Sequence, residues 1–102
     1  MKICSILEWD TPKDTEKIKA YYDYTKKFSL FLDKLDKELG SHRSSWADGS
    51  GHLVSIVEYP SVEAYAKVLS NEEYHSRVVN FSRLVQNVQM RTYRPSSYIA
   101  IE

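Results

Sequence analysis

The chain has 102 residues, enough for one hydrophobic core and too few for two, and it reads as a single domain over residues 1–95 followed by a tail over 96–102. Fourteen Lys and Arg against 14 Asp and Glu leave no basic excess, which argues against nucleic acid and against an anionic membrane surface as partners. The one cysteine, Cys4, excludes an internal disulfide and a multi-cysteine zinc site and suits a reducing, cytoplasmic compartment, and no apolar run approaches the roughly 18 residues of a membrane span.

Residues 2–9 are rich in β-compatible side chains and run into the turn formers Asp10, Thr11 and Pro12, which predicts a strand. Ile3, Leu7 and Trp9 share one parity while Cys4 and Ile6 share the other, so both faces of this strand call for cover. Thr11 then suits a helix cap with Pro12 at the first helical position. Ile18, Tyr21, Tyr22, Phe28, Leu32, Leu35 and Leu39 form one apolar stripe over about six turns, and Gly40 ends it. Leu30 and Phe31 widen that stripe toward the helix C-terminus.

Segments 42–47 and 52–59 flank Asp48-Gly49-Ser50-Gly51, a loop with two glycines for positive φ, and predict a β-hairpin. A four-residue loop sets Ala47 opposite His52 and Trp46 opposite Leu53. The same count sets Arg43 opposite Ile56, within diagonal reach of Glu58, and puts His42 and His52 on opposite faces. Leu53, Val57 and Tyr59 on one face and Val54 and Ile56 on the other again call for cover on both sides.

Ser61 caps a short helix through about Leu69, and Ser70-Asn71-Glu72-Glu73 reads as a capping box that restarts it, with Ser70 bonding back into the turn. Tyr74, Val78, Phe81, Leu84 and Val85 give that last helix its stripe to about Gln86, and residues 88–93 alternate as a final strand ended by Pro95. Tyr98, Ile99 and Ile101 in the tail suit contact with a partner subunit.

The order strand, long helix, strand, strand, broken helix, strand is the ferredoxin-like βαββαβ arrangement, an α+β fold with a four-stranded antiparallel sheet. Its helices cover one sheet face, and a second copy of the chain is the cover expected for the other. The stretch Glu58-Tyr59-Pro60-Ser61-Val62-Glu63-Ala64-Tyr65, followed by Ser70-Asn71-Glu72-Glu73-Tyr74, resembles the dimeric α/β-barrel superfamily, which includes antibiotic-biosynthesis-monooxygenase-like, EthD-like and NIPSNAP-like proteins. The resemblance implies two sheets packed face to face as a barrel, a homodimer, and a pocket between sheet and helices. Haem-degrading members use a first-strand asparagine, a helical tryptophan and an axial histidine, whereas this chain has Cys4, Ser5 and Ile6, then Tyr65, then Val78 in those regions. No haem, and no other cofactor, is expected.

His42 and His52 lie too far apart along the hairpin to share an ion, and Glu72 near His75 is one pair where three ligands are usual, so no metal site is expected. His75, in the first turn of the last helix, is the candidate catalytic residue, as a proton shuttle or general base; paired to Glu72 it would be a boundary side chain instead. Tyr22, Phe31, Tyr65 and Trp46 are candidate ligand-binding residues, together with Arg91 as an anchor for a carboxylate. Aromatic stripes at helical spacing are also what a plain core shows. The leading expectation is a homodimer holding a small apolar or aromatic molecule; the alternatives are a cofactor-independent monooxygenase or isomerase, and an interaction module without a ligand.

Overall fold

The computed structural model describes residues 1–95, arranged in the order β1 (Ile3–Asp10), α1 (Thr15–Leu39), β2 (His42–Ala47), β3 (His52–Tyr59), α2 (Val62–Leu69), α3 (Glu72–Ser82) and β4 (Gln86–Tyr93). The expected tail contact falls on residues 96–102 and lies outside the described residues. The strands pair antiparallel in the order β2-β3-β1-β4, which is the ferredoxin-like sheet expected from the element order. Among the described residues no helix is long and apolar enough to cross a membrane.

The helix boundaries follow from local chemistry. Asp14, rather than Thr11, caps α1 by accepting from the Glu16 N–H at 2.9 Å. Thr11 is drawn away to the hairpin, where its N–H and Oγ1 both donate to the Gly51 carbonyl at 2.9 Å. Gly40 ends α1 in the left-handed region, its N–H returning to the Asp36 carbonyl. Ser61 caps α2 as expected. Ser70 bonds back to the Lys67 carbonyl, but Asn71 is the residue that caps α3, and Glu73 pairs with Arg77 at 3.0 Å instead of closing a capping box. The final helix stops at Ser82, short of Gln86, because the chain must already turn to enter β4.

The hairpin register differs from expectation by one residue. Ala47 pairs with Leu53, Trp46 with Val54, Ser45 with Ser55 and Arg43 with Val57. The reason is a five-residue loop: Asp48 N–H donates to the His52 carbonyl, and the Asp48 carboxylate accepts from the N–H groups of Ser50 and His52, so His52 joins the turn. Since strand side chains alternate with period two, this single step moves all of β2 to the other face. Arg43 and Ser45 point toward the helices, while His42, Ser44 and Trp46 share the outer face with His52, Val54, Ile56 and Glu58.

Two buried clusters lie between the helices and the inner face. One gathers Ile3, Leu35, Val57, Tyr59, Ala64 and Val68 near the start of β1. The other gathers Trp9, Tyr21, Phe28 and Phe81 at its end, with Trp9 and Phe81 edge to face at a centroid separation of 5.0 Å. The outer face carries an apolar diagonal across all four strands, from Trp46 through Val54, Ile56, Ile6 and Cys4 to Tyr93.

Of the two loop glycines only Gly51 has a positive φ, +92°, and a Cβ there would meet Thr11 Oγ1 at 2.6 Å, whereas one on Gly49 would meet nothing. Gly51→Ala is therefore expected to cost about 1–3 kcal/mol through backbone strain and the displaced Thr11 bond, and Gly49→Ala less than about 0.5 kcal/mol. Urea denaturation of the two variants checks this ordering.

Candidate functional site

Most inner-face positions of β1 and β3 carry large apolar groups, but Ser5 and Ser55 stand among them at 7% and 6% exposure. Ser45 follows on β2, directly opposite Ser55. A serine lacks the branched methyls that valine or isoleucine would place under α1, so these three positions leave volume unfilled. The result is a cavity of about 310 Å³ between α1, α3 and the sheet, the size at which small-molecule sites begin.

The cavity has an aromatic end and a polar end. Trp9, Tyr21, Phe28 and Phe81 wall the first, with Leu7, Leu32, Leu53, Val78 and Met90 beside them. Trp9 Nε1 donates to the Tyr21 hydroxyl at 3.0 Å, which satisfies the buried indole and fixes both rings. At the other end stand Arg43, Tyr74 and Asp33, and Thr25 and Ser29 from α1 add hydroxyls along the lining.

Arg43 is held from behind. Its Nε donates to Asp36 Oδ2 at 2.9 Å and its Nη2 to Asp36 Oδ1 at 3.2 Å, and the Ser41 hydroxyl donates to the same Oδ1 at 2.7 Å. Asp36 is buried, so this bidentate pair is a protected ion pair rather than a surface one. Burial works to lower the Arg43 pKa, but the Asp36 hydrogen bonds and charge outweigh it and raise it, so the guanidinium stays charged. Burial pushes the Tyr59 hydroxyl up to about 12 and also raises Tyr74, so both phenols are neutral donors at physiological pH.

The residues expected from the sequence fall elsewhere. Trp46, facing Val54 and not Leu53, is 65% exposed on the outer face, because the register step carried it there. Arg91 lies on that outer face too, opposite Ile6 and bonded to Gln89. Tyr22 is 58% exposed on α1, one position round from the buried Tyr21. Phe31 is half-buried with the Arg77 guanidinium 4.8 Å above its ring, in a groove between α1 and α3 that is separate from the cavity. Tyr65 packs against Tyr59 and meets the Thr92 hydroxyl at 3.2 Å. His75 is exposed, its Nε2 at the Leu69 carbonyl rather than at Glu72, and it does not line the cavity. The structure thus brings none of the six into the cavity. The signal for the residues that do line it was the small polar side chain in an apolar parity, at Ser5 and Ser55.

No group of three His, Cys, Asp or Glu side chains placed to hold a metal ion occurs among the described residues. His42 and His52 share the outer face, contrary to expectation, because of the same register step. His52 bridges two carboxylates there, with Nδ1 at 2.7 Å from Asp10 and Nε2 at 3.2 Å from Glu8. Asn87, at a positive φ of 55° where the β1–β4 register shifts, donates to the second Asp10 oxygen at 2.8 Å.

A scan against protein-family models finds no match, and neither does a search of curated proteins. Among solved structures, SnoaB, a cofactor-independent oxygenase from Streptomyces nogalater, superposes with a TM-score of 0.70 at 7% identity over 94% of each chain. An antibiotic biosynthesis monooxygenase gives 0.67 at 15% identity over 94% of this chain and 99% of that one. A NIPSNAP family protein from Agrobacterium tumefaciens gives 0.61 at 11% identity over 96% of both.

The His52 cluster makes a pH prediction. Hydrogen bonds to Asp10 and then Glu8 raise the His52 pKa above its ordinary 6.5, so its contribution to stability is complete below that value and lost as pH rises through the folded pKa. The bonds from Asn87 and then His52 lower Asp10 below 3.8, and its contribution is lost as pH falls through that lower value. The melting temperature should therefore decline as pH rises from about 6.5 toward 8, and His52→Gln should flatten that decline. A scan of Tm against pH for both proteins checks it. Taken together, the sheet order, the helix placement and the full-length superpositions give this chain the ferredoxin-like fold of the antibiotic-biosynthesis-monooxygenase-like and NIPSNAP structures.

Proposed function

We propose that this chain is a homodimeric α/β-barrel protein that binds one small, largely apolar or aromatic molecule per subunit between α1, α3 and the inner sheet face. The observation that carries the binding half is the cavity of about 310 Å³, whose walls are aromatic and aliphatic with hydroxyls along the lining and the charged groups Arg43 and Asp33 among them. That is the composition of small-molecule sites in general, where apolar area supplies affinity and a few polar groups fix orientation. The likeness to the solved structures of a cofactor-independent oxygenase and an antibiotic biosynthesis monooxygenase supports the same reading by analogy of fold. No reaction is assigned.

The dimer rests on the outer face. Ile6, Val54 and Ile56 are half-buried in the single chain, and Trp46 and Tyr93 are exposed at the two ends of their diagonal. Fully burying a Val- or Ile-sized side chain is worth about 1.5–3 kcal/mol, of which these half-buried groups realise only part, and no helix of the described residues covers this face. A second copy, laid on by a twofold axis, would cover Trp46 and the isoleucines with their own equivalents.

Ser55→Phe, which fills the cavity from the centre of the sheet, is expected to abolish binding of naphthalene while the far-ultraviolet spectrum stays native. Isothermal titration of both proteins checks it, and unchanged binding would place the ligand elsewhere. Ile56→Lys, which puts a charge at the middle of the outer diagonal, is expected to convert a dimer into a monomer in sedimentation velocity. A native protein that sediments as a monomer at every concentration would remove the dimer from the proposal.

A further inference from the structure

The charge balance at the polar end of the cavity restricts which polar group a ligand can carry, an inference that rests on the binding site proposed above. Arg43 brings a permanent positive charge to a largely apolar chamber, and an unpaired guanidinium there would select a carboxylate. Here that selection is already spent. Asp36 takes Nε and Nη2 in a bidentate pair, and the Ser41 hydroxyl donates to the same Oδ1 that accepts from Nη2. A second carboxylate arriving at Arg43 would meet a neutralised pair and would also approach the Asp33 carboxylate that lines the cavity. Its own desolvation in an apolar chamber would then find no compensating charge.

A neutral acceptor faces no such cost. The guanidinium keeps N–H groups that no carboxylate takes among the described residues, the neutral Tyr59 hydroxyl being its other neighbour, and Tyr74 lines the same cavity. A carbonyl oxygen placed there would accept a charge-assisted hydrogen bond without bringing a charge to be buried. We infer that the cavity selects neutral aromatic or aliphatic molecules bearing a carbonyl group, with Arg43 donating to that oxygen and Asp36 acting as the positioning residue that turns carboxylates away.

Three probes of one shape separate the possibilities: 2-acetylnaphthalene, 2-naphthoate and naphthalene. Isothermal titration of the native protein is expected to show the ketone binding about tenfold tighter than naphthalene, and naphthoate weakest of the three. In Asp36→Asn the guanidinium is unbalanced, and naphthoate is expected to overtake the ketone. In the double variant Arg43→Met/Asp36→Leu, which removes both members of the pair and leaves no buried charge unpaired, the ketone should lose its advantage over naphthalene, so the inference stays testable even where Asp36→Asn does not fold. Native protein that binds naphthoate as tightly as the ketone, or a double variant that leaves the ketone's advantage intact, would overturn the inference alone. Failure of all three probes to bind would overturn the cavity reading beneath it as well.

Discussion

The pairing of Arg43 with Asp36 ties β2 to the last turn of α1, and with it decides what each face of the sheet presents. Strand side chains alternate, so β2 has only two ways to face. With Arg43 inward, Ser45 comes to lie opposite Ser55 over the cavity and Trp46 goes outward to the diagonal that also holds Ile6 and Ile56. With β2 slipped by one, Trp46 would fill the space beneath α1 and the buried Asp36 would lose its cation. Removing one member of a buried ion pair typically costs about 3–5 kcal/mol, more than most single contacts in a small domain. The five-residue loop and the pair thus enforce the same register from opposite ends of the strand.

The cavity in turn is a consequence of volume left out. Large rings close its aromatic end, where Trp9, Tyr21, Phe28 and Phe81 contact one another. Serines along the middle of the inner face are too short to fill the space beneath α1, and Tyr74, Val78 and Phe81 from α3 line it without closing it. A core built for stability alone would place valine or isoleucine at Ser5 and Ser55, since each added buried methylene stabilises by about 0.8 kcal/mol. Keeping small polar residues there gives up packing and gains a chamber.

Much of the fold was legible because its signals are local. The stripe from Tyr21 to Leu39, the left-handed stop at Gly40, the Ser61 cap and the two-sided apolar pattern of β1 and β3 each depend on neighbours within a few residues. The Thr11 cap was misplaced because its hydroxyl bonds across to Gly51, 40 residues on, a competition that local spacing does not reveal. The register slipped for a similar reason: whether His52 belongs to the ladder or the turn depends on the Asp48 carboxylate, and a one-residue error there sent Trp46 to the wrong face. Arg43 was given Glu58 as its partner and Asp36 was passed over, because an aspartate beside Leu35 looks solvent-facing until α1 and β2 are packed together; the register step turns Arg43 inward to Asp36 and away from Glu58. Ser5 and Ser55 were visible in the sequence as polar residues in an apolar parity, and that pattern is what marks the cavity.

In the proposed function the two faces of the sheet do separate work, an inner chamber under α1 and an outer surface against a second copy. The chain's two tryptophans report on one face each, with Trp9 in the chamber wall and Trp46 on the outer diagonal. Their indole N–H signals in a 1H–15N spectrum, assigned with Trp46→Phe, read both faces in one sample. The account predicts that adding 2-acetylnaphthalene shifts the Trp9 signal and leaves Trp46 in place, while dilution shifts Trp46 and leaves Trp9. A ligand that moves the Trp46 signal and spares Trp9 would contradict it.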